Sequence, residues 1–469
     1  RTVHRMNDWK RLVKAIATDD VKQVHYLIRI ALKQHCGPNE ILERFFKAVE
    51  HVYHARGHSE ADVQFAKLIQ YYAGRNGLFA ANKHLGIPSS SALYRLSKTP
   101  CIWPSPGKPT SAERIHNIHN YFPSGQQGSP RQRCGHILAG DGLAVDPRMR
   151  WFKTRNIIIG GCREHFGDLD ATMSCWDSVL KFVHALLGDS PQCHFGSEAT
   201  VFGIAPLRDE NYHILPISLS ASCKAEKATE FGDILISTLD DWAACAAEDW
   251  GDIWAFSCDG ASTFRGACYE HLMSHEFDKA SLLYRKLSVL RGLNLRCGKR
   301  HIIHAPDPKH LLKRVATHLR SAEGSLVDGI VINRAVLARF LQMLPGQTKS
   351  GIENLIDPAD HQNVPRAVNL LRAVVQLSKS RPPSLSPTDE NTYHAICLQA
   401  TLWESLLVAF VDQHPSLSEQ LKHLATFAHI AFALYLHHGS AFMSNQLYSD
   451  LQALVKACFT CVAQQQLLD

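Results

Sequence analysis

The sequence predicts an α/β fold: a mixed sheet, with a helical region before it and a large, mostly helical part after it. Three observations carry that expectation. Two apolar runs of strand length, His136–Val145 (HILAGDGLAV) and Ile253–Gly260 (IWAFSCDG), each end in an Asp-Gly step and deliver Asp141 and Asp259. A third, shorter run inside Arg300–Lys313 (RHIIHAPDPKHLLK) delivers Asp307 at the start of a helix. From residue 321 onward apolar residues recur at three-to-four spacing and no strand pattern stands out.

Bulk composition narrows the classes. At 469 residues the chain is too long for one ordinary core. A hydrophobic share of 45% with 20% charged residues is globular rather than disordered. The net charge of +6 permits nucleic-acid contact without arguing for it. Fourteen cysteines invite a disulfide or zinc reading, but the one Cys-x-x-Cys, Cys458–Cys461, lies in a helical pattern with no second pair to complete a ligand set. The thiols are therefore read as buried in a reducing compartment, and the 27 histidines as scattered. No secretory leader or long apolar run appears, so the expectation is a soluble, intracellular protein, nuclear or cytoplasmic, with no membrane partner. The first residue is Arg1 rather than Met, which suggests that the natural chain starts upstream.

Residues 1–99 read as helical, with Asp19-Asp20 capping Val21–Lys33 and Pro38-Asn39 starting Glu40–Arg56. Ala61–Ala73, a Gly74-Arg75-Asn76-Gly77 turn, then LFAANKHLGIP and SSSALYRL give the cadence of a helix-turn-helix. In that reading Ser89–Arg95 opens the recognition helix, and Lys83 and Arg95 are candidate DNA contacts. A plain helical bundle gives the same cadence. Residues 100–133 are Pro-rich and read as a linker or as an irregular wrap over a neighbouring domain.

A core region follows over 134–320. After HILAGDGLAV, the β-branched run Arg155–Gly161 suits a hairpin partner. Thr200–Ala205 and Tyr212–Leu219 are further strands, and Pro216 inside the last argues for an edge strand or a bulge. A helix over Lys224–Cys245 precedes IWAFSCDG; a helix over Thr263–Ser274, a short strand His301–His304 and a helix Pro308–Arg320 complete the region. A three-strand meander followed by crossovers to parallel strands is the order of an RNase H-like sheet. Residues 321–469 give helices at Val336–Leu344, Val364–Leu377, Thr392–Val411, Leu417–His437 and Asn445–Gln466, divided by the Pro-rich stretch 380–391.

Phosphodiester cleavage or strand transfer with two Mg²⁺ (or Mn²⁺) ions needs hard oxygen ligands held rigidly, and Asp141 and Asp259 at strand ends fit that need. Either Asp-Gly alone is ordinary turn chemistry; the two together, at the first and fourth strands of one fold, favour a metal pair. Asp307 has a plain reading as an N-cap before Pro308, with Lys313 in an exposed turn. A functional reading makes that helix start, with Lys313 and Arg314, a phosphate site, although no Walker-type loop is present. Arg265, six residues past Asp259, could face the cleft. The triplet Arg163-Glu164-His165 in CREH is read as a hairpin turn in preference to a catalytic group.

The succession GDGLAVDPRMRWFKTRNIIIGGCREH, SCDGASTFRGA and APDPKHLLKRVATHLRS resembles the core of P element-type transposases and related transposase-derived proteins of mushroom-forming fungi. SNQLYSDLQALVKACFTCVAQQQLLD is similar to a helical segment of the fungal proteins, so the resemblance covers residues 130–469. It implies an RNase H-like DD(E/D) fold interrupted by a helical insertion that binds GTP in the P element branch. Asp141 would be the first catalytic acid and Asp259 the second, both metal ligands, while Asp307 and Lys313 would belong to the nucleotide site. DNA is the implied partner, and oligomerisation is compatible with it. The sequence departs from the pattern in two ways. Relatives often carry Asp-Glu where this chain has Asp141-Gly142, and the third acid is expected on a helix past the QLYSDLQALVKACFTCVAQQQ segment, beyond Asp469. The zinc-coordinating N-terminal module of some relatives is also absent. The expectation is a transposase-derived nucleic-acid-binding protein with an incomplete, inactive centre; the alternative is a non-enzymatic DNA- or protein-binding scaffold.

Overall fold

A computed structural model of the chain describes residues 24–33, 35–49, 58, 60–85, 87–96, 102–123, 133–167, 169–208, 212–346, 348–359, 362–382 and 385–468. It divides into two compact units, residues 1–100 and 101–469.

The first unit is helical over its described residues: Val24–Lys33, Pro38–Val49, Glu60–Leu85 and Ser90–Leu96. Asp19-Asp20 and the expected end of the second helix at Arg56 lie outside the described residues. Gly74, at φ +66°, interrupts the long helix where the glycine-bounded turn is expected. Val63, Ala66, Leu78, Ile87 and Leu93 form a small core that joins the two sides of the turn before Ser90. Ser89 Oγ accepts from the Ala92 amide at 3.2 Å, so the last helix starts with the serine cap that the sequence offers.

In the second unit the sheet is mixed and five-stranded. Two small pairs, Arg150–Phe152 (β2) with Ile157–Ile159 (β3) and His275–Glu276 (β7) with Arg296–Cys297 (β8), lie outside this sheet. Counting the strands of the described residues along the chain, its members are β1 (His136–Ala144), β4 (Glu198–Pro206), β5 (Leu215–Ser222), β6 (Ile253–Cys258) and β9 (Ile303–His304). Their spatial order is β5-β4-β1-β6-β9. The first three run antiparallel as a meander, and β6 and β9 then lie parallel to β1. This is the RNase H-like arrangement. Pro216 sits on the edge strand and also beside a bulge, because the β4–β5 register jumps from Phe202↔Ser218 to Gly203↔Pro216.

One expected strand belongs elsewhere. Arg155–Gly161 does not pair with β1. Its Ile157–Ile159 (β3) pairs with Arg150–Phe152 (β2) in a separate hairpin, and β4 takes the place beside β1. The β-branched run is only three residues long and is boxed in by positive φ at Asn156 and Gly160, too short to span the sheet. Residues 145–197 thus form an excursion with its own core of Ile157, Phe166, Ala171, Phe182 and Leu186, the last two on the helix Trp176–Leu187.

The Pro-rich region contains a helix, Ser111–Tyr121, opened by a capping box of Thr110 and Glu113. Its approach wraps the sheet: the Ser105 amide donates to Leu219 O at 2.8 Å, and Asn117 Nδ2 donates to Ile217 O at 3.0 Å. An otherwise open edge strand is thereby covered.

Alternation along the strands assigns the two faces of the sheet. Leu138, Phe202 and Phe256 pack under the helices Ser111–Tyr121, Ala228–Cys245 and Ser262–Leu272, against Ile118, Phe231, Leu235 and Phe264. On the opposite face Ala255 and Ile303 meet Leu283 and Leu287 of the helix Leu282–Leu287, and Ala457 and Ala463 of Asn445–Leu468. Leu447, Leu451 and Leu454 of Asn445–Leu468 lie in the core of the helical part, alongside Pro308–Leu319, Val364–Lys379, Pro387–Phe410 and Leu417–His438. This one helix therefore closes the helical part and also covers the sheet.

His136, at the start of β1, is buried beside Phe122 and Trp242, and burial pushes its imidazole down from 6.5 to about 4. A lowered folded-state value means that protonation favours unfolding. The stabilisation is complete above the unfolded value and is lost as pH falls from 6.5 towards 4. Urea melts at pH 7 and pH 5 should therefore show a smaller loss of stability for His136→Phe than for the parent; equal losses contradict this.

Residues 321–469 are not strand-free. Ser325–Val327 (β10) and Ile330–Ile332 (β11) form a hairpin across Asp328-Gly329, both at positive φ. SLVDGIVI is an Asp-Gly between β-branched runs, a hairpin signal that the helical periodicity around it masks. Among the described residues no helix is long and apolar enough to cross a membrane.

Candidate metal and nucleic-acid site

Asp141 and Asp259 come from neighbouring parallel strands. The β1–β6 register ends at Gly140↔Cys258, so each acid is the next residue beyond that last pair. Asp141 is exposed and accepts from the Gly142 amide at 2.8 Å through Oδ1. Asp259 Oδ1 accepts from the Ala261 amide at 2.9 Å, across a turn in which Gly260 has φ +86°. These local bonds fix both carboxylates at the carboxyl end of the sheet.

Gly142 has a structural reason of its own. A Cβ there would run into the carboxylate of Glu198, which opens β4 and pairs with Lys224 at 2.8 Å. Gly142 points to the face opposite Asp141, so this contact explains the glycine without adding Glu198 to the Asp141 side.

A third aspartate joins from the far end of the chain. Asp450, 6% exposed, lies in the second turn of Asn445–Leu468. Its Oδ2 is 4.0 Å from the position a Cβ would take on Gly260, the residue after Asp259. Arg314 Nη1 donates to Asp450 Oδ2, and Arg265 Nη1 stands 3.6 Å from the same oxygen. The strand alternation that puts Ala255 on the face covered by Asn445–Leu468 continues to Asp259, and Asp141 shares parity with Ile137, which packs on that same face. Asp450 was legible only through topology. In sequence it sits in YSDLQALV as an ordinary helical polar residue 191 positions after Asp259.

Asp307 N donates to Cys258 O at 3.2 Å, so the third acidic stretch does run beside the end of β6. Its side chain caps the helix Pro308–Leu319 through the Lys309 amide at 2.9 Å and pairs with His310 Nδ1 at 2.7 Å. Lys313 Nζ donates to Gln362 Oε1 at 2.8 Å. Six residues advance a helix by about 240°, so Asp307 and Lys313 project from different sides. Arg265, expected to face the cleft, reaches Asp450. Lys83 and Arg95 are exposed in the first unit, Lys83 with its ammonium 5.6 Å from the Phe79 ring centroid.

Beneath Asp259, Cys258 Sγ lies 3.5 Å from His304 Nε2 and beside Cys268. The hydrogen bond from Cys268 pulls the Cys258 thiol below its ordinary value, while burial pushes Cys268 up.

Asp141, Asp259 and Asp450 offer carboxylate oxygens, the donor type that Mg²⁺ and Mn²⁺ prefer. They do not form a closed cage: among the described residues the groups whose ligand atoms lie within 4.8 Å of one another are made of cysteine and histidine. Asp450 is held by two guanidinium groups, and a divalent cation would have to compete with them.

No protein-family profile matches the sequence, and no curated protein does. A solved structure, the Drosophila P element transposase strand transfer complex, superposes with a TM-score of 0.52 at 11% identity, over 90% of this chain and 84% of that chain. The likeness is one of fold: a transposase-like RNase H arrangement with helical regions.

Proposed function

We propose that this chain is a transposase-derived nucleic-acid-binding protein whose cleft, built from Asp141, Asp259 and Asp450, is a divalent-metal centre for phosphodiester cleavage or strand transfer. One observation carries the reading. The helix that closes the helical part returns to the sheet and sets Asp450 beside Gly260. The expectation of an inactive centre looked for a third acid beyond Asp469; in the present proposal Asp450 takes that role.

When bound there, Mg²⁺ or Mn²⁺ supplies charge neutralisation at the phosphate and a more acidic water. The chain's own residues do the positioning. Asp141 and Asp259 are each held through Oδ1 by a neighbouring backbone amide. Arg265 and Arg314 hold Asp450 in place and, once it turns to a cation, are free to meet phosphate oxygens. Lys83 and Arg95 offer contacts to the DNA backbone from the helical first unit.

A thermal titration tests the reading against the scaffold alternative. Saturating Mn²⁺ should raise the melting temperature of the full chain, as for any ligand that binds only the folded state. The rise should shrink in Asp141→Asn, Asp259→Asn and Asp450→Asn alike. No rise in the parent, or a rise untouched by all three substitutions, overturns it.

A further inference from the structure

We propose that Cys162, His165, His194 and Cys223 form a Zn²⁺ site that fastens the 145–197 excursion to the sheet. Their four ligand atoms lie within 4.8 Å of one another, although the residues come from three separate parts of the chain. Cys162 Sγ and Cys223 Sγ stand 3.3 and 3.5 Å from the same atom, His165 Nδ1. In a tetrahedral site with Zn–S about 2.3 Å and Zn–N about 2.05 Å, the sulfur-to-nitrogen edge is about 3.5 Å. The thiols already stand at that edge length from the imidazole. The His165 and His194 rings are 4.1 Å apart between centroids, tilted by 44°.

The surroundings hold the ligands without the ion. The Cys162 amide donates to His194 O at 2.8 Å. Glu164 accepts from Ser222 Oγ at 2.5 Å and from the Cys223 amide at 3.2 Å. Between these ligands Arg163 runs inward to the Glu226 carboxylate. Cys162 is fully buried, Cys223 and His165 are half-buried and His194 is exposed, which leaves a route for a metal ion.

Two thiolates and two imidazoles in a tetrahedral set suit Zn²⁺ rather than Mg²⁺. Binding takes a proton from each thiol to solvent, so the ion and two thiolates are neutral together. The physical need is plain. The excursion has two three-residue strands and a small core, and small units are commonly stapled by a metal. The clamp joins it to Cys223, the residue after β5, next to the Lys224 that pairs with Glu198 of β4. Sequence reading missed the site because Cys-x-x-His at 162–165 has its other ligands 29 and 58 residues beyond His165, outside every zinc-finger spacing.

The test is zinc analysis of the full chain purified without chelator, paired with Co²⁺ substitution. The expected result is one zinc per chain, and for Co²⁺ the visible bands of a tetrahedral ion with thiolate charge transfer. Cys162→Ser/Cys223→Ser should lose both, and Cys258→Ser/Cys268→Ser should keep both. Should the first variant fail to fold, the parent still decides: chelation must expose Cys162 and Cys223 together to alkylation, mapped by peptide. A metal-free parent that takes up no Co²⁺, metal that leaves with Cys258 and Cys268 instead, or a Cys162–Cys223 disulfide overturns the proposal.

Discussion

Asp259→Asn in the full chain should lower Mn²⁺-dependent nicking of DNA by about 10³-fold, an electrostatic loss of the size seen when one preorganised group at a reacting phosphate or carbonyl is removed. The substitution keeps the shape and the capacity to accept from the Ala261 amide at 2.9 Å, so the Asp-Gly turn should survive. What it removes is a negative charge beside the end of β6, where the cleft draws its donors from three distant segments. Asp450→Asn should cost as much, with a difference that identifies its role. Arg265 and Arg314 lose their charged partner, so the variant should bind DNA more tightly while cleaving less. An Asp450→Asn protein that cleaves like the parent places the third acid elsewhere.

Glu226→Ala should be the most destabilising single substitution in the sheet region. Arg163 and Glu226 are 3% and 5% exposed at the side chain and meet through two bonds, 2.9 and 2.5 Å, with Arg163 also donating to Ser220 Oγ at 3.1 Å. Removing one member strands a buried guanidinium, at a cost of about 3–5 kcal/mol. Replacing both, as Arg163→Met/Glu226→Leu, should recover most of that loss, because the desolvation penalty of the pair disappears with it. Chemical denaturation of the three proteins checks this. If the double variant is less stable than Glu226→Ala, the pair stabilises by more than mutual compensation.

The sheet was readable because its strands carry strong signals. HILAGDGLAV and IWAFSCDG are long and apolar, although the first strand runs on through Asp141-Gly142 to Ala144 instead of ending there. Pro216 pointed to an edge strand or a bulge, of which the structure has both. The excursion was not readable for the opposite reason. RNIIIGG has the composition of a strand, but nothing local says whether three β-branched residues join a large sheet or a two-stranded hairpin. That choice rests on Glu198–Pro206, which binds along the whole of β1, in register from His136↔Pro206 to Ala144↔Glu198. Asp141 and Asp259 were visible as acids on apolar runs, Asp259 just past the end of its strand and Asp141 where β1 outruns its parallel partner. Asp450 and the Cys162–His165–His194–Cys223 set were not, because their meaning lies in contacts across long stretches of chain, and a helix or a turn seen alone gives each residue an ordinary role. Asp307 shows the reverse. Its local reading as a helix cap is what the structure contains.

The most direct measurement is a crystal structure of the full chain soaked with Mn²⁺, with anomalous difference density calculated at the cleft. The expected result is a peak at coordination distance, about 2.0–2.2 Å, from carboxylate oxygens of Asp141 and Asp259, with Asp450 turned from Arg265 and Arg314 towards it. A cleft without anomalous density at saturating Mn²⁺, and with Asp450 still paired to both arginines, would contradict it.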